Sequence, residues 1–206
     1  MGFTGFTQHD FDTFLIEGLE QRMAAIRERI QPKFRAIAEQ IADELSVQTG
    51  QDMHLHIAKH ARRTVNAPVD TWMAFSHNKR GYKQYPHFQV GLFDDRLFVW
   101  LALIYEVADK QRIADTLLAN QTMVYDQIPD DYNLSIDHMK KSSIAKSSLS
   151  SEECKELFVR FKNVKSAELL LGKVLTADEA VQLQGGLVDV VRDTFATLMP
   201  IYKMIQ

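Results

Sequence analysis

The hydrophobic period of this chain changes at Gly50, and that change constrains the fold more than any other feature. Between residues 19 and 48, apolar residues recur at helical spacing, with a kink or break predicted at Pro32. After Gly50 the period falls to two residues, which is typical of strands. A chain of 206 residues can bury one sizeable core. We therefore predict a single domain, residues 1–206, in which a long helix packs across the apolar face of a sheet.

The strands of this sheet follow Gly50. Four segments are predicted to form them: 52–57, 70–76, 87–93 and 96–106. The tight Asp94-Asp95 connection predicts an antiparallel hairpin. The strand after it is apolar at both its odd and its even positions, so both of its faces should be buried. We therefore place it at the centre of the sheet. Further strands are predicted at 13–16 and 167–175, and helices near 109–126 and 187–204. This order predicts an α+β fold, an antiparallel sheet with helices packed on one face.

Local signals mark the ends of several elements. Thr7 with Asp10, Ser150 with Glu153, and Thr176 with Glu179 each have the spacing of a capping box, which predicts a helix after the first residue of each pair. Residues 140–151 are rich in Ser and Lys and have no hydrophobic period. We therefore predict a flexible loop near 140–151.

The charge of the chain is concentrated in one region. Residues 54–96 hold seven Lys or Arg and three Asp, a local charge of +4 in a chain whose net charge is −3. Five of the seven histidines lie in the same region. The rest of the chain is therefore acidic, and the local positive excess predicts a surface for an anionic partner.

The basic region predicts an anion-binding site. Residues 79–83, Lys-Arg-Gly-Tyr-Lys, have the composition of a turn between strands, where Arg and Lys side chains can hold phosphate oxygens and a tyrosine can stack on a ring. The alternative is a solvated hairpin tip whose charges only prevent edge-to-edge pairing. The predicted ligand-binding residues are Lys59, His60, Arg62, Arg63, Lys79, Arg80, Tyr82, Lys83 and His87.

A metal site is the alternative use of the histidines. His54, His56 and His60 have a spacing at which three imidazoles could hold zinc and leave a position for water. Histidines on an exposed strand beside basic residues are more often solvated, so we predict no metal and no cofactor. No phosphate-binding glycine loop, hydrolase nucleophile motif or zinc-protease motif is present in the sequence.

Cysteine content and hydropathy indicate the compartment. The chain has a single cysteine, Cys154, which excludes an internal disulfide and suits a reducing cytoplasm. Its position on an apolar helix stripe predicts a buried structural thiol. The longest apolar run, residues 97–105, is too short to span a bilayer as a helix. We therefore predict a cytoplasmic protein with no membrane partner.

Several segments together resemble a known family. They are 56–66, Pro68, 79–83 and 86–91 in the basic region, 10–23 near the start, Trp100 and 104–106 in the centre, and 165–172 late in the chain. This pattern is similar to the YktB-like proteins, an uncharacterised family of small bacterial cytoplasmic proteins. The resemblance implies an α+β fold with a curved antiparallel sheet like that of the TATA-binding-protein fold. It implies no activity.

Three functions are compatible with the sequence. The first is a binding module that holds an anionic, phosphate-bearing small molecule or a nucleic-acid backbone on the basic, histidine-rich surface. The second is an enzyme, a phosphoester hydrolase that uses His54, His56, His60 or His87 as metal ligands or acid–base groups. The third is a protein–protein interaction module without a small-molecule site. We favour the first, and the net charge of −3 favours a compact ligand over nucleic acid. The sequence leaves the oligomeric state open.

Overall fold

The computed structural model describes residues 2–206, and one antiparallel sheet organises them. Within these residues the sheet has seven strands in the order β1-β2-β3-β4-β7-β5-β6. The strands are β1 (His54–Ile57), β2 (Thr71–Ser76), β3 (His87–Leu92), β4 (Arg96–Leu103), β5 (Asn133–Ser135), β6 (Ile144–Ala145) and β7 (Leu169–Thr176). Every neighbouring pair is antiparallel.

The helices pack against one face of this sheet. They are α1 (Gln8–Phe11), α2 (Leu19–Ala25), α3 (Gln31–Thr49), α4 (Lys110–Ala119), α5 (Gln121–Gln127), α6 (Ser151–Asn163), α7 (Ala177–Leu183) and α8 (Leu187–Ile205). Helix α3 contacts β1 and β2, and α8 contacts β4 and β7. The fold is therefore α+β with helices on one face, as the change of period at Gly50 predicts.

The main core lies between the sheet and the helices. The ring of Phe88 on β3 is 4.6 Å from that of Phe195 and 4.9 Å from that of Tyr202, both on α8. All three side chains are buried. Burying one such side chain contributes about 1.5–3 kcal/mol, so this layer holds α8 on the sheet.

The opposite face of the sheet carries a second, smaller apolar cluster. Its members on the central strands are Trp72, Ala74, Phe98, Trp100, Ala102 and Leu170. Gly91 provides the space for these rings, because a Cβ on Gly91 would lie 2.2 Å from Cζ of Phe98. Among the described residues, this cluster contains strand and loop residues only. The loops that follow β1 and β2 therefore have a partly apolar surface to cover.

Most predicted elements are confirmed. The four strands after Gly50 form with ends shifted by up to three residues, and 167–175 forms β7. The capping boxes at Thr7, Ser150 and Thr176 are present. Gly50 ends α3 in the left-handed region, at φ 71°. The capping spacings and the C-terminal glycine are strong local signals, and they place these helix ends correctly.

Two predictions for the first fifty residues differ from the structure. The segment 13–16 is not a strand, because residues Asp12–Leu15 continue the capped turn of α1 as a 3₁₀ helix, with Thr13 Oγ1 donating to the His9 carbonyl. At Pro32 the chain does not break. A π-helical turn at Ile26–Ile30 joins α2 to α3, and Pro32 lies in the first turn of α3, where its missing N–H is not needed.

The segment 140–151 also differs from the predicted loop. It contains β6 and a 3₁₀ turn at Lys146–Ser148. The Lys146 side chain is buried, with Nζ 3.1 Å from Asp130 Oδ1 and 3.7 Å from the centroid of the Tyr125 ring. Strands β5 and β6 have three and two residues, too short to show a hydrophobic period, so the sequence does not reveal them. The predicted helix 109–126 is divided at Asn120 into α4 and α5.

Candidate anion-binding cleft

A cleft of about 590 Å³ opens on the face of the sheet opposite the helices. Its apolar and aromatic lining includes Ala58, Trp72, Tyr82 and Met139. Its polar lining includes His56, Lys59, His60, Arg62, Arg63, Lys83 and Glu106. A volume of this size is within the range of small-molecule sites.

Trp72 and Tyr82 form the aromatic part of the lining. Trp72 Nε1 donates a hydrogen bond to the Tyr82 hydroxyl at 2.8 Å, and the Tyr82 ring stacks on His56 at 4.7 Å. Burial raises the pKa of Tyr82 to about 12, so the phenol stays protonated. Its oxygen accepts from Trp72, and its own hydrogen remains available for a ligand.

The turn after β2 positions Lys83 beside these rings. Gly81 adopts φ 67°, a left-handed conformation that favours glycine, and it precedes the 3₁₀ turn Tyr82–Gln84. This turn places Lys83 Nζ 5.5 Å from the centroid of the Trp72 ring. The same ammonium lies 3.6 Å from Glu106 Oε1, and both side chains are about one-third exposed. Such a solvent-exposed pair is weak, so Lys83 remains available to an anionic ligand.

The loop after β1 supplies the other cations, Lys59, Arg62 and Arg63. His60 anchors the start of this loop: it adopts φ 49°, and its Nε2 lies 3.1 Å from Thr71 Oγ1. Arg22 anchors the end by donating from Nη1 to the Pro68 carbonyl at 2.9 Å. The two anchors hold the loop against the rim of the cleft.

The cleft has a positive electrostatic environment. Of the described residues that line it, four carry a positive charge and Glu106 carries a negative one. The pKa of His60 is lowered to about 4, chiefly by burial and further by the charges of Arg63 and Lys83. His60 is therefore neutral at physiological pH and acts as a hydrogen-bonding group.

Three of the nine predicted ligand-binding residues lie outside the lining of the cleft. Lys79 and Arg80 are exposed, and Asn78 Oδ1 accepts the Arg80 backbone N–H at 3.1 Å. His87 is fully buried behind Tyr82, with ring centroids 5.0 Å apart. The other six, Lys59, His60, Arg62, Arg63, Tyr82 and Lys83, line the cleft. The basic turn therefore contributes its second half to the cleft.

His87 has a supporting position in the structure. Its Nδ1 donates to the Tyr85 carbonyl at 2.7 Å, and its Nε2 accepts from Gln89 Nε2 at 2.7 Å. Burial lowers the pKa of His87 to about 4, so the ring is neutral. Both ring nitrogens are satisfied within the protein, and a direct contact with ligand is not expected.

The ligand atoms of His54, His56 and His60, the alternative metal ligands, do not converge in the described structure. His56 Nε2 donates to the Asn78 carbonyl at 2.9 Å, and His60 Nε2 contacts Thr71. Within residues 2–206, the three side chains whose ligand atoms lie within 4.8 Å of one another are Asp137, His138 and Glu168. The strand period placed His54 and His56 on one face correctly, but the loop directs His60 to Thr71.

A model of a domain of unknown function, DUF1054, matches residues 6–202. The chain belongs to this family. UPF0637 protein ABC2405 of Shouchella clausii is 51% identical over 205 residues, which cover 99% of this chain and 96% of the relative. A UPF0637 protein of Exiguobacterium sibiricum is 52% identical over 204 residues, 98% of this chain and 99% of the relative. These matches confirm the resemblance to an uncharacterised bacterial family.

None of these family names states an activity. The DUF1054 model covers nearly all of the sheet and the helices described above. In the described part of the chain, the helices are all too short or too polar to cross a bilayer.

Four residues of this face were missed as site residues. Trp72 is buried in the second apolar cluster and also lines the cleft, and Glu106 and Met139 lie in turns after the basic region. Asp70 is fully buried, and both of its carboxylate oxygens lack a hydrogen-bond partner among the described residues. The hydrophobic alternation of β2 places Asp70 on the face of Trp72, but it cannot show that the carboxylate is unpaired.

Proposed function

We propose that this protein is a binding module for an organic phosphate that carries a planar ring. The observation that carries the proposal is the cleft itself, which four cationic side chains line together with Trp72 and Tyr82. A ligand with separate anionic and aromatic parts matches both halves of this lining. His60 in this lining is neutral, because burial, and to a smaller extent the charges of Arg63 and Lys83, lower its pKa to about 4.

The phosphate would be held by the loop after β1 and by Lys83. Guanidinium groups bind phosphate oxygens through two parallel hydrogen bonds, and ammonium groups act as point charges. Arg63 has only a long contact of 3.4 Å to the Asn66 carbonyl, so a phosphate can compete for it. One charge-assisted hydrogen bond contributes about 1.5–3 kcal/mol.

The ring would pack on the aromatic side of the cleft, with the Tyr82 hydroxyl as a donor to a ring or ribose acceptor. Aromatic stacking with a base contributes about 1–3 kcal/mol. A small molecule is favoured over a nucleic-acid backbone, because the chain as a whole is acidic, with a net charge of −3. Neutralisation of many phosphates needs a larger positive surface.

The test is titration calorimetry with ADP, pyrophosphate and adenosine at low and moderate salt. We expect ADP to bind more tightly than either fragment, and its affinity to fall as salt rises. Arg62→Ala should weaken ADP by about 1–3 kcal/mol, or roughly 5- to 150-fold in Kd. Arg63→Lys should recover part of the affinity lost in Arg63→Ala, because the charge remains without the planar fork.

Arg80→Ala is the matched control. It removes one positive charge from the same basic region, but Arg80 lies outside the cleft lining. We expect little change in ADP affinity. An equal loss in Arg80→Ala and Arg62→Ala would show non-specific attraction and contradict the cleft. Stronger binding of a single-stranded oligonucleotide than of ADP would favour the nucleic-acid backbone, and failure of all these probes would favour an interaction module.

The cytoplasm is the compartment that we propose for this binding function. Cys154 is a free cysteine, fully buried on α6, and burial raises the pKa of its thiol to about 11. Such a thiol is inert and has a packing role. A fluorescent fusion in a host of the family would test this location, and accumulation outside the cytoplasm would contradict it.

A further inference from the structure

A second pocket, of about 380 Å³, lies beside the cleft, and Met139 lines both. Asp137, His138 and Glu168 meet at this pocket. They come from distant parts of the chain: the first two follow β5, and Glu168 directly precedes β7. The pairing of β5 with β7, in which Ser135 lies opposite Leu170, brings them together. The position of this group does not depend on the binding function proposed for the cleft.

His138 and Glu168 already have the separation of two ligands of one metal ion. His138 Nδ1 lies 2.9 Å from Oε1 and 2.8 Å from Oε2 of Glu168. Their side chains are 7% and 4% exposed. Nitrogen and oxygen ligands bind zinc at about 2.0–2.2 Å, so adjacent ligands are separated by roughly 3 Å. A cation can therefore occupy the position between these atoms with small side-chain movements.

The backbone fixes the Glu168 carboxylate in this position. Oε2 accepts the His138 N–H at 2.7 Å, and Oε1 accepts the Tyr105 N–H at 3.3 Å. Asp137 completes the group, and Lys140 Nζ lies 3.3 Å from its Oδ2. The Lys140 side chain is 70% exposed, so this surface ion pair can give way to a cation at little cost.

One unpartnered group in the pocket lining, on Arg160, points independently to a ligand here, and a second, Asp70, lies outside that lining. Asp70 is fully buried and unpaired in the described structure, and it shares a strand face with Trp72, whose ring meets His138 edge-on at 5.9 Å. Arg160 lines the same pocket, and its buried Nη1 has no hydrogen-bond partner among residues 2–206. A free guanidinium N–H beside a metal position suits an anion bound to the metal.

We propose that Asp137, His138 and Glu168 bind a divalent transition-metal cation such as Zn²⁺ or Mn²⁺, with an oxyanion between the metal and Arg160. One imidazole and two carboxylates suit these borderline-to-hard cations. Three protein ligands leave coordination positions open, which an exchangeable anion or water fills.

The test is calorimetry of the full-length, chelator-treated protein with ZnCl₂ and with MnCl₂. We expect one cation per chain, and at least tenfold weaker binding in His138→Ala and Glu168→Gln. Asp137 is partly exposed, so Asp137→Asn should fold normally and still weaken the cation. His54→Ala is the control for a histidine outside the group and should bind as the parent does. Substitution with Co²⁺ should give visible ligand-field bands that are lost in Glu168→Gln.

The outcomes separate the two parts of the proposal. If the folded parent binds no cation, or if Asp137→Asn and Glu168→Gln bind as tightly as the parent, the metal site is wrong. Inorganic phosphate should raise the Mn²⁺ affinity several-fold in the parent and have no effect in Arg160→Gln. An equal rise in both proteins, or none in the parent, would overturn the anion position. Loss of ADP binding in Arg62→Ala with unchanged metal affinity would show that the cleft and the metal pocket are separate sites.

Discussion

Replacing Asp70 with Asn should stabilise the protein in a pH-dependent way. The carboxyl of Asp70 is fully buried, and its two oxygens have no hydrogen-bond partner in the described part of the chain. Burial raises its pKa from 3.8 to about 6, although the charges of His138, Arg63 and Lys83 oppose part of this effect. The folded protein thus keeps the Asp70 proton at a pH where the unfolded chain has released it.

The sign of the effect follows from this difference in proton binding. Between about pH 4 and pH 6 the folded state binds more protons than the unfolded state, so stability falls as the pH rises through this window. The rise in pKa from 3.8 to about 6 corresponds to about 3 kcal/mol, at 1.36 kcal/mol per pH unit. Asp70→Asn keeps a neutral group of the same shape at every pH. It should therefore match the parent near pH 4 and exceed it by up to about 3 kcal/mol at pH 7.5.

Urea unfolding of the chelator-treated protein at pH 4.5 and pH 7.5, followed by circular dichroism, measures this difference. For a chain of this length, about 3 kcal/mol corresponds to roughly 6–12 °C in Tm. Asp52→Asn is the control, since Asp52 is exposed, and it should change neither value. The reasoning is refuted if Asp70→Asn is less stable than the parent at pH 7.5, or if the difference between the two proteins is the same at both pH values.

Three further predictions concern the face that carries the cleft and the helix layer behind the sheet. Tyr82→Phe removes the acceptor of the Trp72 indole N–H, so it should lower the free energy of unfolding by about 1–3 kcal/mol in a urea titration. Gly91→Ala would place a Cβ 2.2 Å from Phe98 Cζ and 2.7 Å from the Thr71 carbonyl oxygen, and overpacking should cost about 1–3 kcal/mol or more by the same assay. Cys154 is fully buried with a pKa of about 11, so Ellman's reagent should label it only after unfolding; rapid labelling of the folded protein would contradict this.

The fold was predictable where one physical signal dominated its segment. The alternation of Met53, Leu55 and Ile57 and the continuous apolar run of β4 each required a strand, because only that conformation buries those side chains against helices. The tight turn at Asp94-Asp95 then required the antiparallel register that places His87 opposite Ala102. In the segment 13–16, three apolar residues were too few to distinguish a strand from a 3₁₀ turn, and the capped helix before it decided the outcome.

The candidate site was predictable only in part, because the number of charges in a sequence segment does not show in which direction each side chain points. Residues 59–63 and 82–83 belong to the same basic region of the sequence and line the same cleft, so the local excess of Lys and Arg located half of the cleft. Lys79 and Arg80 have the same composition but are exposed outside the cleft lining, and the left-handed Gly81 separates them from the 3₁₀ turn Tyr82–Gln84. A left-handed residue of this kind changes the direction of the chain, and this change has no counterpart in the charge pattern.

The polar groups that the sequence did not predict were missed for a different reason. Asp137, His138 and Glu168 meet only because a three-residue strand, β5, pairs with β7, and so short a strand has no period to detect. Asp70 and Arg160 stand out only because buried polar atoms of their side chains have no hydrogen-bond partner within residues 2–206. A local pattern can show that a polar residue is buried, whereas the absence of its partner depends on every element packed around it. The unpartnered polar atoms of Asp70 and Arg160 are therefore visible only in the structure, and the Arg160 guanidinium is the group that supports an anion beside the bound cation.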